Sequence, residues 1–143
     1  MAISFKFYHD ASLTQEITAL NPLTATQDTA GVLGPVDKTI YLGSTVTGNK
    51  AQVNANPGVT AIAVSVADSD ALTGAPATEF KLALSSGGLD TATAGAALTL
   101  STSITSGIAN AVPIFTRRDS ALAVAGSYTD ISLTTQTLLE TPV

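Results

Sequence analysis

The sequence predicts an all-β protein, a single-domain β-sandwich or barrel-like fold of about seven to nine strands spanning residues 1–143. Three observations lead there. Apolar side chains recur at every second position in several short runs, which is the period of a half-buried strand. Clusters of Gly, Pro, Asn and Ser separate those runs. No stretch sustains the 3.6-residue period of an amphipathic helix, and no strand–helix alternation is visible. With no Pro- or Ser-rich linker dividing it, the chain reads as one domain.

At the start, Ile3, Phe5 and Phe7 face one way while Ser4, Lys6 and Tyr8 face the other. Residues 1–8 therefore form a strand that anchors the core, or an arm whose apolar face belongs to a neighbouring subunit. Residues 16–20 give a short strand closed by Asn21-Pro22, and residues 24–31 give a loop. After Gly34-Pro35, residues 36–43 form a strand ended by Gly43. Residues 45–49 read as a hairpin-like loop with Gly48-Asn49 as its turn.

The strongest punctuation is Asn54-Ala55-Asn56-Pro57-Gly58. Pro57 presets φ and Gly58 accepts positive φ, which predicts a type II turn. Residues 59–67 follow as a central strand with Ile62, Val64 and Val66 on one face. Ala61, Ala63 and Ser65 on the other face are small enough for a second sheet or subunit to come close.

Phe80, Leu82 and Leu84 alternate in a strand over residues 79–84, ended by Ser85-Ser86-Gly87-Gly88. Residues 89–97 are where one short helix fits, because Ala favours helix, with Thr91, Thr93 and Gly95 limiting its length. Leu98-Thr99-Leu100 and Ile104 return to strand. Residues 111–117 form an apolar strand in which Pro113 suits an edge or a bulge. Residues 121–125 and 128–133 flank Gly126-Ser127 as a closing hairpin.

Composition narrows function. The chain has no Cys, no Trp, one Met and one His. Enzyme sites gather a nucleophile, a base and an orienting partner, or hold a metal or cofactor, and these residue types are scarce here. The sequence therefore nominates no catalytic residue, no cofactor-binding residue and no metal-ligand set. A net charge of −5, from 11 acidic and 6 basic side chains, argues against nucleic-acid binding. Charged residues make up 12% of the chain, against about 25% in an average domain. Such a surface belongs to a β protein economical with charge, or to one covered in an assembly. With 45% hydrophobic residues, disorder is not expected. No run approaches the roughly 20 apolar residues of a membrane span. The first nine residues lack the pattern of a signal peptide, so synthesis in the cytoplasm without membrane association is the expectation.

Four groups merit weighing as sites. His9-Asp10 with Glu16 is the one His–carboxylate group, and it reads as a polar strand end unless further ligands or a nucleophile join it. With His9 as the single histidine, a hydrolase triad has no other base to draw on. Asp68-Ser69-Asp70 offers alternating oxygens to a cation. Counted from Asp68 as an EF-hand loop, the sixth position is Thr73 instead of Gly, the twelfth is Glu79 as required, and Pro76 interrupts, so an acidic turn is the expectation. Gly87-Gly88 and the glycines at 31 and 34 lack the Lys-Ser/Thr of a phosphate loop. Arg117-Arg118, followed by Asp119, is the one adjacent basic pair. It could grip carboxylates on a partner, or blunt a sheet edge as a solvated strand end. Ile3, Phe5, Phe7, Arg117 and Arg118 are accordingly the candidate interaction residues.

Five segments give the chain a family likeness. They are the Met1-Ala2 start, Lys38-Thr39-Ile40-Tyr41-Leu42-Gly43, Asn56-Pro57-Gly58-Val59, Ser106-Gly107-Ile108-Ala109-Asn110-Ala111-Val112-Pro113-Ile114 and Tyr128-Thr129-Asp130-Ile131-Ser132-Leu133-Thr134. In these the chain resembles the small β-rich virion proteins of tailed bacteriophages, of the capsid decoration (cement) type. The resemblance implies a protein made in the host cytoplasm that sits on the outside of the head. There it would bridge major capsid subunits as a homo-oligomer, often a trimer. A tail or head–tail adaptor component is the neighbouring reading. A bacterial adhesin or carbohydrate-binding sandwich is a third, and the absence of Trp, with only Tyr8, Tyr41 and Tyr128 available, counts against a sugar platform.

Overall fold

Strand alternation along two segments fixes the frame of the molecule. Val36–Gly43 (β2) turns Ile40 and Leu42 inward, and Val112–Arg118 (β8) turns Ile114, Thr116 and Arg118 inward. The two run antiparallel with Ile40 opposite Ile114 and Asp37 opposite Arg117. A computed structural model describes residues 3–30, 32–70, 72, 76–119, 126 and 129–143. Around β2 and β8, β1 (Lys6–Tyr8) pairs with β2 and β5 (Phe80–Ala83) pairs with β8, giving a four-stranded sheet in the order β1-β2-β8-β5.

Two three-stranded antiparallel sheets complete the described fold. One has the order β10-β3-β7, from β3 (Asn49–Val53), β7 (Ile104–Thr105) and β10 (Leu138–Pro142). The other has the order β6-β4-β9, from β4 (Ala63–Asp68), β6 (Leu98–Thr99) and β9 (Ile131–Thr135). One buried cluster draws on all three sheets. Phe5, Ile40, Leu42, Leu82 and Ile114 come from the four-stranded side, meeting Ala51, Val53 and Ile104 of one small sheet and Ile62 and Val64 beside the other. A fully buried aliphatic side chain of this kind stabilises a fold by roughly 1.5–3 kcal/mol. The fold is all-β and sandwich-like, as the alternation predicts.

The strand count rises to ten among the described residues: β6 and β7 form where strand is expected, as two-residue ladders, whereas β3 and β10 are not anticipated because neither carries a clean apolar alternation. Residues 89–97 do not form a helix. A 3₁₀ turn at Gly87–Asp90 packs on β5 and β8 with Leu89 fully buried, and Gly95 at φ 81° then donates its N–H to the Phe80 carbonyl. Residues 16–20 hold only isolated bridges, Tyr8 with Glu16 and Thr18 with Asn21.

The turn at Asn56 forms as expected, with Gly58 at φ 75° and the Val59 N–H donating to the Asn56 carbonyl. Thr60 donates to the same carbonyl, so β4 starts only at Ala63 and not at residue 59. It is central in its sheet, with Ile62 and Val64 wholly buried. The segment around Gly48 is not a hairpin, since β2 and β3 belong to different sheets. Residues 121–125, Ser127 and Tyr128 of the expected closing hairpin lie outside the described residues, and β9 finds its partner in β4. Pro113 stands in a strand with neighbours on both sides rather than at an edge. It is tolerated because the β5 ladder reaches only Phe115, leaving the β5 side of Pro113 unpaired.

Candidate interaction surface

The sequence-nominated residues fall into two places. Ile3, Phe5 and Phe7 all pack toward the core, as their spacing predicts, but only Phe7 lies within β1, and Tyr8, expected on the opposite face, is buried as well. Phe5 is buried in the core, while Ile3 and Phe7 are half-buried against it. The chain thus covers much of the apolar face of its own N-terminal segment. Beside that face lies an open groove of about 450 Å³, with Ile3, Phe5, Phe7 and Leu42 on one side and Thr135 to Leu138 on the other. The groove runs between β1, an edge of the large sheet, and the link from β9 to β10. Its polar lining is engaged internally: the Gln136 side chain accepts from the Ala63 N–H at 2.9 Å and donates to the Ala61 carbonyl at 3.2 Å.

Arg117 and Arg118 cannot act as one basic grip, because neighbours on a strand point to opposite faces. Arg117 faces outward and is held by two carboxylates of its own chain. Its Nε and Nη2 donate to Asp37 at 2.7 and 2.9 Å, and Nη1 donates to Asp90 at 2.8 Å. The Asp37 carboxyl is held below its ordinary range, first by the hydrogen bonds from Arg117, against a smaller upward push from burial. The Arg117 guanidinium is raised by Asp37 and then Asp90, so it stays charged. Arg118 faces inward, 5% exposed, and its Nη2 donates to Glu79. Its guanidinium carbon lies 5.8 Å from the centre of the Phe80 ring, in cation–π range. The carboxylates that this basic pair grips are internal ones.

The remaining sequence candidates are local structure. His9 donates from Nε2 to the Asn21 carbonyl at 3.0 Å. The Asp10 carboxylate accepts from the Thr14 hydroxyl at 2.7 Å and from the Thr14 and Gln15 N–H groups at 3.0 and 2.9 Å. Those bonds, the Thr14 hydroxyl first, hold the Asp10 carboxyl low and tie down the loop after β1. Buried Leu13 in that loop adopts φ 54°, a conformation a non-glycine residue keeps only when its surroundings impose it. Asp68 accepts the Asp70 N–H at 2.9 Å, which closes its own turn. Thr73, the sixth position counted from Asp68, lies outside the described residues, and Glu79 is engaged by Arg118. Among the described residues no group of three or more His, Cys, Asp or Glu side chains is placed to hold a metal ion. No helix of the described residues is long and apolar enough to cross a membrane.

Two features lie beyond the sequence reading. Asp90, the second acceptor for Arg117, is 27 residues away in the chain and carries no local signal. Glu140, on β10, bonds to Ser4 and Asn49. It is the one charged side chain in residues 131–143 and follows Leu138 at strand spacing, a signal that could have flagged it. Leu20 is the most exposed large apolar side chain described, at 99%, on the tip of a two-residue turn closed by reciprocal backbone bonds between Thr18 and Asn21. Comparison with protein-family models, curated proteins and solved structures returns no match for this chain.

Proposed function

We propose that this chain is a non-enzymatic structural protein of a bacteriophage virion that works by surface contact. In this reading it is a capsid decoration protein, made in the host cytoplasm and bound as a homo-oligomer to the major capsid protein on the outside of the head. The observation that carries the reading is Leu20. Tips of two-residue turns ordinarily hold Gly, Asn or Asp, and here a leucine stands almost wholly in water. Leu72, 95% exposed, is a second such side chain. Single exposed aliphatics are common on any protein, but on a surface this poor in charge they are the groups with most to gain from being covered. The segmental resemblance to tailed-phage virion proteins supports the class, and because the Arg117 and Arg118 side chains are engaged internally, the reading assigns the contact to the exposed aliphatic side chains Leu20 and Leu72.

The test is direct. Light scattering on the purified chain should give a multiple of 14.4 kDa, and the chain should co-sediment with phage heads stripped of accessory proteins. A monodisperse monomer that ignores heads would remove this reading. Binding to tails and not heads would leave it a virion protein of another station.

A further inference from the structure

The Glu140 carboxylate points inward. On β10 it stands opposite Ala51, which is fully buried, and paired residues of an antiparallel ladder share a face. At this rim of the core it accepts three hydrogen bonds. The Ser4 N–H donates at 2.7 Å, the Ser4 hydroxyl at 2.7 Å and Asn49 Nδ2 at 2.9 Å. The Ser4 oxygen also lies 2.5 Å from the hydroxyl of Ser44, which is wholly buried and itself accepts the Val46 N–H. Ser4 precedes the β1 ladder, which has only three paired residues, Lys6 to Tyr8. The carboxylate therefore does for the Ser4 N–H what a neighbouring strand would do.

The groups facing Glu140 are uncharged. They are Ser4 from the N-terminal segment, Asn49 from β3 and, through Ser4, Ser44 from the β2–β3 connection. Lys50 occupies the next position on β3 and so the opposite face of that strand. From β7, the facing ladder residues are Ile104 and Thr105.

We propose that Glu140 is an acid-sensitive latch. Its carboxylate fastens residues 3–5 to β10, and its protonation raises the population in which that segment is detached while the rest of the sandwich stays folded. Burial pushes the Glu140 carboxyl up, but the hydrogen bonds from the Ser4 N–H, the Ser4 hydroxyl and Asn49 outweigh it and hold the group below its ordinary value. A depressed carboxylate contributes its stabilisation above the unfolded value, about 4.3 for Glu, and loses it as pH falls through the folded value. The latch is closed at neutral pH and opens in acid. The segment it governs carries Ile3 and Phe5, which line the groove. This device stands on the geometry alone, whatever partner the molecule has.

Chymotrypsin at neutral pH reads the opening, because cleavage after Phe5 requires the segment to leave the core. In Glu140→Gln the cleavage rate after Phe5, followed by mass spectrometry, should rise about tenfold, the scale set by loss of one charge-assisted hydrogen bond. Ser4→Ala should move it the same way. Amide-exchange protection at Ile114 should stay as in the wild type. In the wild type, protection at Ser4, corrected for intrinsic exchange rates, should fall as pH drops below about 4.3 and before that at Ile114, and E140Q should lack this step. Cleavage within twofold of wild type in both variants would overturn the latch. So would a rise matched by equal loss of protection at Ile114. Should E140Q not fold, Ser4→Ala and the wild-type pH series decide the matter alone.

Discussion

Asp37 and Arg117 stand directly opposite each other on β2 and β8, 80 residues apart in the chain, and their side chains meet through two parallel hydrogen bonds of 2.7 and 2.9 Å. This fork geometry gives direction as well as attraction. The Arg117 guanidinium spans from β2 to Asp90 in the 3₁₀ turn over β5 and β8. One side chain thus ties two strands and a loop on the outer face of the large sheet.

Because Asp37 is held below its ordinary range when folded, its pairing stabilises the protein above the unfolded carboxyl value, about 3.9. That contribution disappears as pH falls through the folded value. Asp37→Asn is expected to lower the melting temperature at pH 7 by at most about 4 °C, since its carboxylate is about half exposed and water screens the pair. The gap between variant and wild type should narrow as pH falls below about 3.9 and through the folded value. Thermal melts across that range check it.

A larger effect is expected on the opposite face of β8. Arg118 is 5% exposed, and removing Glu79 would leave its buried charge without that carboxylate. Glu79→Ala should destabilise the fold by about 3 kcal/mol, whereas Arg118→Met, which keeps the volume and removes the charge, should cost less. Urea denaturation of the two variants decides the order.

Gly43 ends β2 where two neighbours crowd it. A Cβ there would lie 3.0 Å from Leu13 Cδ1 and 3.2 Å from the Ala111 backbone. Gly43→Ala is expected to cost about 1–3 kcal/mol by overpacking. Leu13→Ala alone should cost a similar amount by leaving a cavity. The double variant should be less destabilised than the sum, because removing the leucine relieves one of the two contacts. A double-mutant cycle in urea measures that coupling.

Leu20→Ser should change folding stability by no more than about 0.5 kcal/mol, because the side chain buries almost nothing within the monomer. If the proposed contact function holds, the same substitution should weaken self-association or head binding, and a Leu20→Ser, Leu72→Ser double variant should weaken it further. Sedimentation with heads, at unchanged melting temperature, reads this. Retention of full binding by the double variant would place the contact elsewhere.

The sequence carried much of the scaffold. Period-2 runs located β2, β5 and β8 nearly to the residue, and Asn56-Pro57-Gly58 located a type II turn, because these depend on local backbone preference and side-chain alternation. Less legible were β3 and β10. Asn49-Lys50-Ala51-Gln52-Val53 buries only a small Ala and a Val, and Leu138-Leu139-Glu140 breaks the alternation with a charge. The candidate residues divided in the same way. That Ile3, Phe5 and Phe7 all pack toward the core followed from spacing, whereas the partition of Arg117 and Arg118 between outer salt bridges and the inner rim needed both the strand and its neighbours.

By itself the sequence determined that this chain would be built of strands, where several of them begin and end, and which side chains each turns toward the core. Those are properties of a few consecutive residues. Only the tertiary structure decided that consecutive strands β2 and β3, and β9 and β10, enter different sheets, that Asp37 and Asp90 converge on Arg117, and that Glu140 reaches Ser4. Pairings of that kind join residues tens of positions apart. They are selected by how the three sheets together bury one core, and no local period encodes that choice.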